Sequence, residues 1–126
     1  MSLGIGFIGA GDVSDLYARA IRSCGGAQLL GLWNRTPSTA ASKATRFGCR
    51  HYETVEELIA DPAIHAVFVL TNLETHFQYT TLALKGGKHV LVEKPVGENT
   101  REIEEMQRLA TDRKLLCVPG HNYIYE

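Results

Sequence analysis

Short apolar runs alternate with amphipathic stretches along the whole chain, and the alternation predicts six strands and five helices. Ile5, Phe7 and Ile8 give a first strand over 3–8, despite the weak strand propensity of Gly4 and Gly6. Over 12–24, Val13, Leu16, Tyr17, Ala20, Ile21 and Cys24 recur three and four residues apart and share one helical face. Gly25-Gly26 ends that helix. A second strand covers 28–33. Thr36 as N-cap and Pro37 at the first helical position open a helix that runs to 47, with Gly48 as its stop. A short strand over 49–52 follows. Thr54 and Glu57 have the spacing of a capping box for a brief helix to 60.

Asp61-Pro62 turns the chain. Ala66-Val67-Phe68-Val69-Leu70 is almost continuously apolar, as expected of a strand covered on both faces. A helix over 75–85 closes at Gly86-Gly87, and a fifth strand covers 89–92. Asn99 and Glu102 start a helix with Ile103, Met106, Leu109 and Ala110 on one face, and a sixth strand covers 115–118. The strict alternation predicts an α/β fold, a doubly wound parallel sheet with right-handed crossovers and helices on both faces. Such a sheet binds ligands in the crevice beyond the carboxyl ends of its strands.

Composition narrows this only a little. With 126 residues, 44% hydrophobic and 21% charged, the chain is a globular domain and not a disordered or collagen-like polymer. A net charge of −1 offers no footprint for nucleic acid or an anionic membrane. No apolar run approaches the roughly 20 residues that span a bilayer. Cys24, Cys49 and Cys117 are odd in number and widely spaced, so they read as buried reduced thiols and not as disulfides or zinc ligands. His51, His65 and His89 lack metal-ligand spacing, and no metal site is expected. No basic-then-apolar leader opens the chain, which makes a cytoplasmic location the expectation.

The first strand delivers Gly9-Ala10-Gly11-Asp12-Val13-Ser14 to the start of a helix. This is G-x-G-x-x-S where a pyrophosphate-binding turn requires G-x-G-x-x-G/A. Gly9 permits a tight turn with positive φ, and Gly11 lets a pyrophosphate approach the backbone. The helix N-terminus then offers unpaired N–H groups. Ser14 departs from the pattern but is small. Asp12 suits the helix dipole as a capping residue within this binding segment, Gly9 to Val13. The alternative is a glycine-rich turn without a ligand.

The second strand ends in Asn34-Arg35-Thr36, where an acidic residue would hold the free ribose hydroxyls of NAD. Asn34 can bond a ribose and does not repel a phosphate. Arg35 can pair with a 2′-phosphate through two charge-assisted hydrogen bonds, and Thr36 can add its hydroxyl or N–H. NADP is therefore expected in preference to NAD. The alternative is an Arg35 that stacks over the adenine or faces solvent.

Two further segments, Thr71-Asn72-Leu73-Glu74-Thr75-His76 and Gly86-Gly87-Lys88-His89-Val90-Leu91-Val92-Glu93-Lys94-Pro95, extend this pattern. With the glycine turn, they make the chain resemble the glucose–fructose oxidoreductase, inositol dehydrogenase and rhizopine-catabolism family (Gfo/Idh/MocA) from Gly4 to Tyr125. The resemblance implies a Rossmann fold and an NAD(P)-dependent oxidoreductase acting on sugars, cyclitols and related polyols or ketones. It places Glu93 and Lys94 near the nicotinamide and its ribose, with a Lys94–Pro95 bond that is often cis and aims Lys94 into the crevice. Lys94 is then the candidate catalytic residue. Its ammonium would stabilise alkoxide character on a substrate oxygen, its charge tuned by burial and by Glu93. Thr71 and Asn72 match a loop beside the pyrophosphate and nicotinamide ribose. His76 matches a position in the following helical turn, where a neutral imidazole either contacts the cofactor or serves packing and capping. Asn122 would approach the nicotinamide end, and Ile124 stands where many members carry arginine.

The family's acid/base histidine and its neighbouring aspartate belong to a C-terminal α/β domain that no residue here matches. Residues 1–126 are thus expected to be the cofactor domain of a longer enzyme, able to bind dinucleotide with little or no turnover. Tyr123, Ile124 and Tyr125 would form an apolar tail that favours self-association into a homo-oligomer. A non-catalytic NAD(P) sensor or regulatory module would use the same fold without Lys94. Glu93-Lys94-Pro95 favours the enzyme, and the pyrophosphate turn argues against a purely structural interaction domain.

Overall fold

Strands with apolar side chains on both sides can be covered only by helices on both sides, and that demand shapes the computed structural model, which describes residues 2–120. Asn122 and the 123–125 tail lie outside the described residues. The elements are β1 (Leu3–Ile8), α1 (Asp12–Ser23), β2 (Ala27–Trp33), α2 (Pro37–Phe47), β3 (Arg50–His51), α3 (Val55–Ala60), β4 (Ala66–Val69), α4 (Leu73–Lys85), β5 (His89–Val92), α5 (Thr100–Arg113) and β6 (Cys117–Pro119). All strand pairs are parallel, in the order β3-β2-β1-β4-β5-β6. This is the expected doubly wound α/β sheet. The winding direction reverses between β1 and β4, the switch point where such sheets open a crevice.

Register lines up the carboxyl ends. Ile8 pairs with Trp33 and Val69, Val69 with Val92, and Val92 with Pro119. The segments that leave these five strands, at Gly9, Asn34, Leu70, Glu93 and Gly120, therefore share one rim of the sheet.

Alternate residues of β1 feed two cores. Ile5 and Phe7 pack with Ile21 of α1 and with Ala40 and Ala44 of α2. Ile8 packs with the other face, under Leu58 of α3, Leu84 of α4 and Leu109 of α5. Phe7 stacks on Phe68 at 5.7 Å between ring centroids, which joins β1 to β4 across their shared face.

Helix ends follow the sequence signals, with exceptions. Thr54 and Glu57 form the capping box, with Glu57 N–H donating to Thr54 Oγ1 at 3.1 Å. Thr36 holds the N-cap position of α2 but its side chain makes no capping bond. Helix α4 starts at Leu73 and not at 75, because Asn72 is already the extended N-cap residue. Strand β3 is shorter than 49–52, because Cys49 donates its N–H to Ala44 at the end of α2. Strand β6 starts later than 115, and Leu116 N–H donates to the His89 ring instead of a strand neighbour. Ile103 is exposed, while Met106, Leu109 and Ala110 of the same helix are buried.

The cysteines are unpaired, but Cys24 is exposed and the other two are half-buried, which corrects the expectation of three buried thiols. Cys24 lies beyond the last residue of α1, past the helix's buried face. Burial pushes the Cys49 thiol up to about 11 and raises that of Cys117. Lys88, at the opposite end of the sheet from the rim, is a buried cation. Its ammonium donates to the carbonyls of Asp61 at 2.9 Å and Ile64 at 2.5 Å, and burial lowers its pKa. Among the described residues no helix is long and apolar enough to cross a membrane.

Candidate functional site

The glycine turn is built as its sequence requires. Gly9 has φ of 104°, and a Cβ there would lie 2.8 Å from the Leu70 carbonyl carbon, so both backbone and space exclude other residues. Its N–H donates to Trp33 O at 2.8 Å. Gly11 is the N-cap of α1, and a Cβ there would meet nothing within 4 Å. Its bare backbone thus faces open space at the positive end of a twelve-residue helix. Ser14 fits in place of glycine because it is fully buried and its hydroxyl donates to Gly11 O at 2.6 Å.

The individual roles differ from expectation. The Ala10 N–H donates to Asn34 Oδ1 at 2.9 Å, so this amide braces the turn and is not free for a ligand. Asp12 is exposed and makes no capping bond; its charge acts on the helix end only through the dipole. Val13 packs its side chain into the core. The amides left at the helix N-terminus are those of Gly11, Asp12 and Val13. This cradle of helix N–H groups without an obstructing side chain fits a dinucleotide diphosphate.

One cleft brings together Gly9, Gly11, Asn34, Arg35, Thr36, Thr71 and Asn72. Arg35 and Thr36 are exposed at its mouth, and Asn34 is half-buried beneath them. Four lining residues were missed by sequence reasoning: Trp33, Leu70, Thr75 and Tyr79. The first two end apolar strands and read as core. Thr75 lies inside the Thr71–His76 segment, and its hydroxyl donates to Thr71 Oγ1 at 2.7 Å, which fixes that wall of the cleft. Tyr79 packs edge-on against Trp33 at 5.5 Å, a contact between β2 and α4 with no local sequence signal.

Glu93 and Lys94 stand further along the rim, beyond β5. The Lys94–Pro95 bond is cis. Lys94 is exposed and not buried as expected. Nor does Glu93 pair with it among the described residues. The Glu93 carboxylate instead accepts a hydrogen bond from the hydroxyl of Tyr17 on α1, whose ring rests edge-on against Phe68 at 5.4 Å. The space for this contact exists because residue 120 is glycine. A Cβ there would lie 2.3 Å from Glu93 Oε2 and 2.4 Å from Tyr17 Oη. Tyr17 was read only as part of a helical face.

His76 is 2% exposed and is not among the residues that line the cleft. Its Nδ1 lies 2.9 Å from Pro95 O and its Nε2 lies 2.8 Å from Thr71 O. Both nitrogens are engaged by protein, so the ring has no atom left for a cofactor; of the two readings above, the geometry fits packing.

Residues 3–121 match the family described as "Oxidoreductase family, NAD-binding Rossmann fold", Gfo/Idh/MocA. The chain is 31% identical over 116 residues to UDP-N-acetylglucosamine 3-dehydrogenase of Acidithiobacillus ferrooxidans, covering 92% of this chain and 36% of that protein. It is 32% identical to glucose-6-phosphate 3-dehydrogenase of Bacillus subtilis, covering 96% of this chain and 34% of the other. Among solved structures, GenD2 from gentamicin A biosynthesis in complex with NAD superposes with a TM-score of 0.93 at 28% identity, over 98% of this chain and 36% of GenD2. The chain thus spans about a third of the length of the curated relatives it matches. Sheet order, glycine turn and family match agree, and the chain belongs to the Gfo/Idh/MocA oxidoreductase family, of which it carries the NAD-binding Rossmann fold.

Proposed function

We propose that the chain is the NADP(H)-binding part of an oxidoreductase that moves a hydride between the nicotinamide and a sugar, cyclitol or related polyol or ketone. The observation that carries this reading is the cleft between β1, β2 and β4, where the N-terminus of α1 and the exposed Arg35 line one continuous surface. The amides of Gly11, Asp12 and Val13 would hold the diphosphate. Arg35 would pair with the 2′-phosphate, aided by Thr36, because no carboxylate stands at the end of β2 to repel it. Thr71 and Asn72 would line the path toward the nicotinamide ribose, with Glu93 and Lys94 at its far end. When bound, the dinucleotide supplies the hydride donor or acceptor. Lys94 would stabilise negative charge on the substrate oxygen as the C–O bond changes order. Its exposure leaves it free to meet a substrate brought by a second domain. The substrate class rests on relatives named as dehydrogenases of sugar derivatives. A cytoplasmic location fits the unpaired cysteines. Self-association through 123–125 belongs to the same reading and is checked by light scattering at high concentration.

Calorimetric titration with NADP+ and NAD+ tests the cofactor. Tighter binding of NADP+ is expected, and equal affinities would remove the phosphate-pairing argument. A turnover assay over a polyol panel tests the division of labour. Binding without turnover by these residues alone is expected, and robust turnover would show that they suffice for catalysis.

A further inference from the structure

Pro95 and Thr71 stand on different loops, one after β5 and one after β4, and their carbonyl oxygens meet at a single side chain. His76 Nδ1 lies 2.9 Å from Pro95 O, and Nε2 lies 2.8 Å from Thr71 O. A carbonyl only accepts, so each contact is favourable only through a ring N–H. The neutral ring can serve one carbonyl, and the ring protonated on both nitrogens serves both. The ring is 2% exposed, so water does not replace it as a donor.

Lys94 immediately precedes Pro95, is exposed, and makes no hydrogen bond of its own among the described residues. Its location is therefore set by its neighbours. On one side Glu93 is held by Tyr17 from α1. On the other, the Pro95 carbonyl is held by His76 from α4.

We infer that His76 is a positioning residue for Lys94. Its Nδ1–H fixes the Pro95 carbonyl, and through the backbone it fixes where Lys94 stands relative to the Thr71 wall of the cleft. The ring itself does not touch the ligand. The inference rests on the reading that places the nicotinamide beside Lys94.

Two substitutions separate the two ring contacts. Asparagine at 76 carries its amide nitrogen near the Nδ1 position, and glutamine carries its amide nitrogen near the Nε2 position. His76→Asn should keep the Pro95 bond and lose the contact with Thr71 O; His76→Gln should lose the Pro95 bond and place its donor at Thr71 O. Each variant and the parent chain are titrated with NADP+ and with adenosine 2′,5′-bisphosphate, which lacks the nicotinamide half. The parent should bind NADP+ more tightly than the bisphosphate. His76→Gln should lose about tenfold of that advantage and His76→Asn less than about twofold, with bisphosphate affinity equal in all three, the scale of one hydrogen bond. Equal loss in both variants, or none in either, overturns the inference while leaving the nicotinamide reading intact. No advantage for NADP+ in the parent overturns that reading itself, and the inference with it. Nitrogen-15 NMR of the parent's His76 ring gives a check that needs no variant. A hydrogen on Nδ1 is expected, and a bare Nδ1 overturns the inference.

Discussion

The Oδ1 of Asn34 accepts the N–H of Ala10 at 2.9 Å, so the residue that follows β2 also braces the turn that follows β1. This bond ties two parts of the cleft together, the glycine turn and the loop that carries Arg35. Asn34→Ala removes the brace and leaves the buried Ala10 amide without its partner. Affinity for both NAD+ and NADP+ should fall about 5- to 30-fold, the effect of one to two kcal/mol. Asn34→Asp keeps an acceptor for Ala10 but adds a charge near the 2′ position. It should retain NAD+ binding and lose NADP+ binding. Parallel titrations with the two cofactors check both.

Arg35 is exposed at the cleft mouth, so its loss should not disturb the fold. Arg35→Ala should weaken NADP+ by about 1.5–3 kcal/mol, the usual worth of hydrogen bonds to a charged group. NAD+ affinity should stay unchanged. Equal weakening of both cofactors would point to stacking on adenine instead of phosphate pairing.

Lys88 sits in the Gly86–Pro95 segment, yet its ammonium serves the loop between α3 and β4. Lys88→Met keeps the apolar stem and leaves two carbonyls without their donor. The protein should lose about 1–3 kcal/mol for each carbonyl that water does not rescue, and the melting temperature should drop by several degrees. Cofactor affinity, measured well below the melting point, should not change, because Lys88 lies at the opposite end of the sheet from the rim.

Stability should narrow at both ends of the pH scale through one contact. The Tyr52 hydroxyl donates to the Asp61 carboxylate, and the Ala63 N–H donates to it as well. The Tyr52 bond, then the Ala63 bond, hold the Asp61 pKa below its ordinary 3.8. Its contribution is present above that ordinary value and is lost as pH falls through the depressed one. Burial, and then Asp61, push Tyr52 up from 10.0 to about 12. Its contribution is present below pH 10 and is lost as pH rises toward 12. Urea unfolding of the parent and Tyr52→Phe across pH checks this. Above pH 10 the variant should lose less stability than the parent; parallel curves would reject the assignment.

The sheet was legible because β1, β4 and β5 carry apolar residues on both faces and because Gly25, Gly48 and Gly86 punctuate the helices. The outer strands β3 and β6 were less so. Each pairs on one side only, and capping of α2 or a bond to the His89 ring takes N–H groups that an inner strand would pair. In the cleft, the glycine turn and Arg35 were legible because their chemistry is local. Tyr79 was not, because an aromatic on a helix face looks the same whether it packs on core or lines a groove. The Tyr17 contact with Glu93 spans 76 residues and leaves no local trace. His76 shows the limit most clearly. Its motif marked the position as important, and only the orientation of the ring distinguishes a ligand contact from a tether.

Gly120 has a consequence for how such a protein can diversify. A single methyl group at this position would meet both the Tyr17 hydroxyl and the Glu93 carboxylate, so alanine there would push these two side-chain ends from their present contact. Arg35 and Thr36 meet no comparable barrier, because their side chains project into solvent. A change at 120 therefore disturbs the Tyr17–Glu93 end of the rim, while a change at 35 or 36 alters the cleft mouth and leaves the packing beneath it intact.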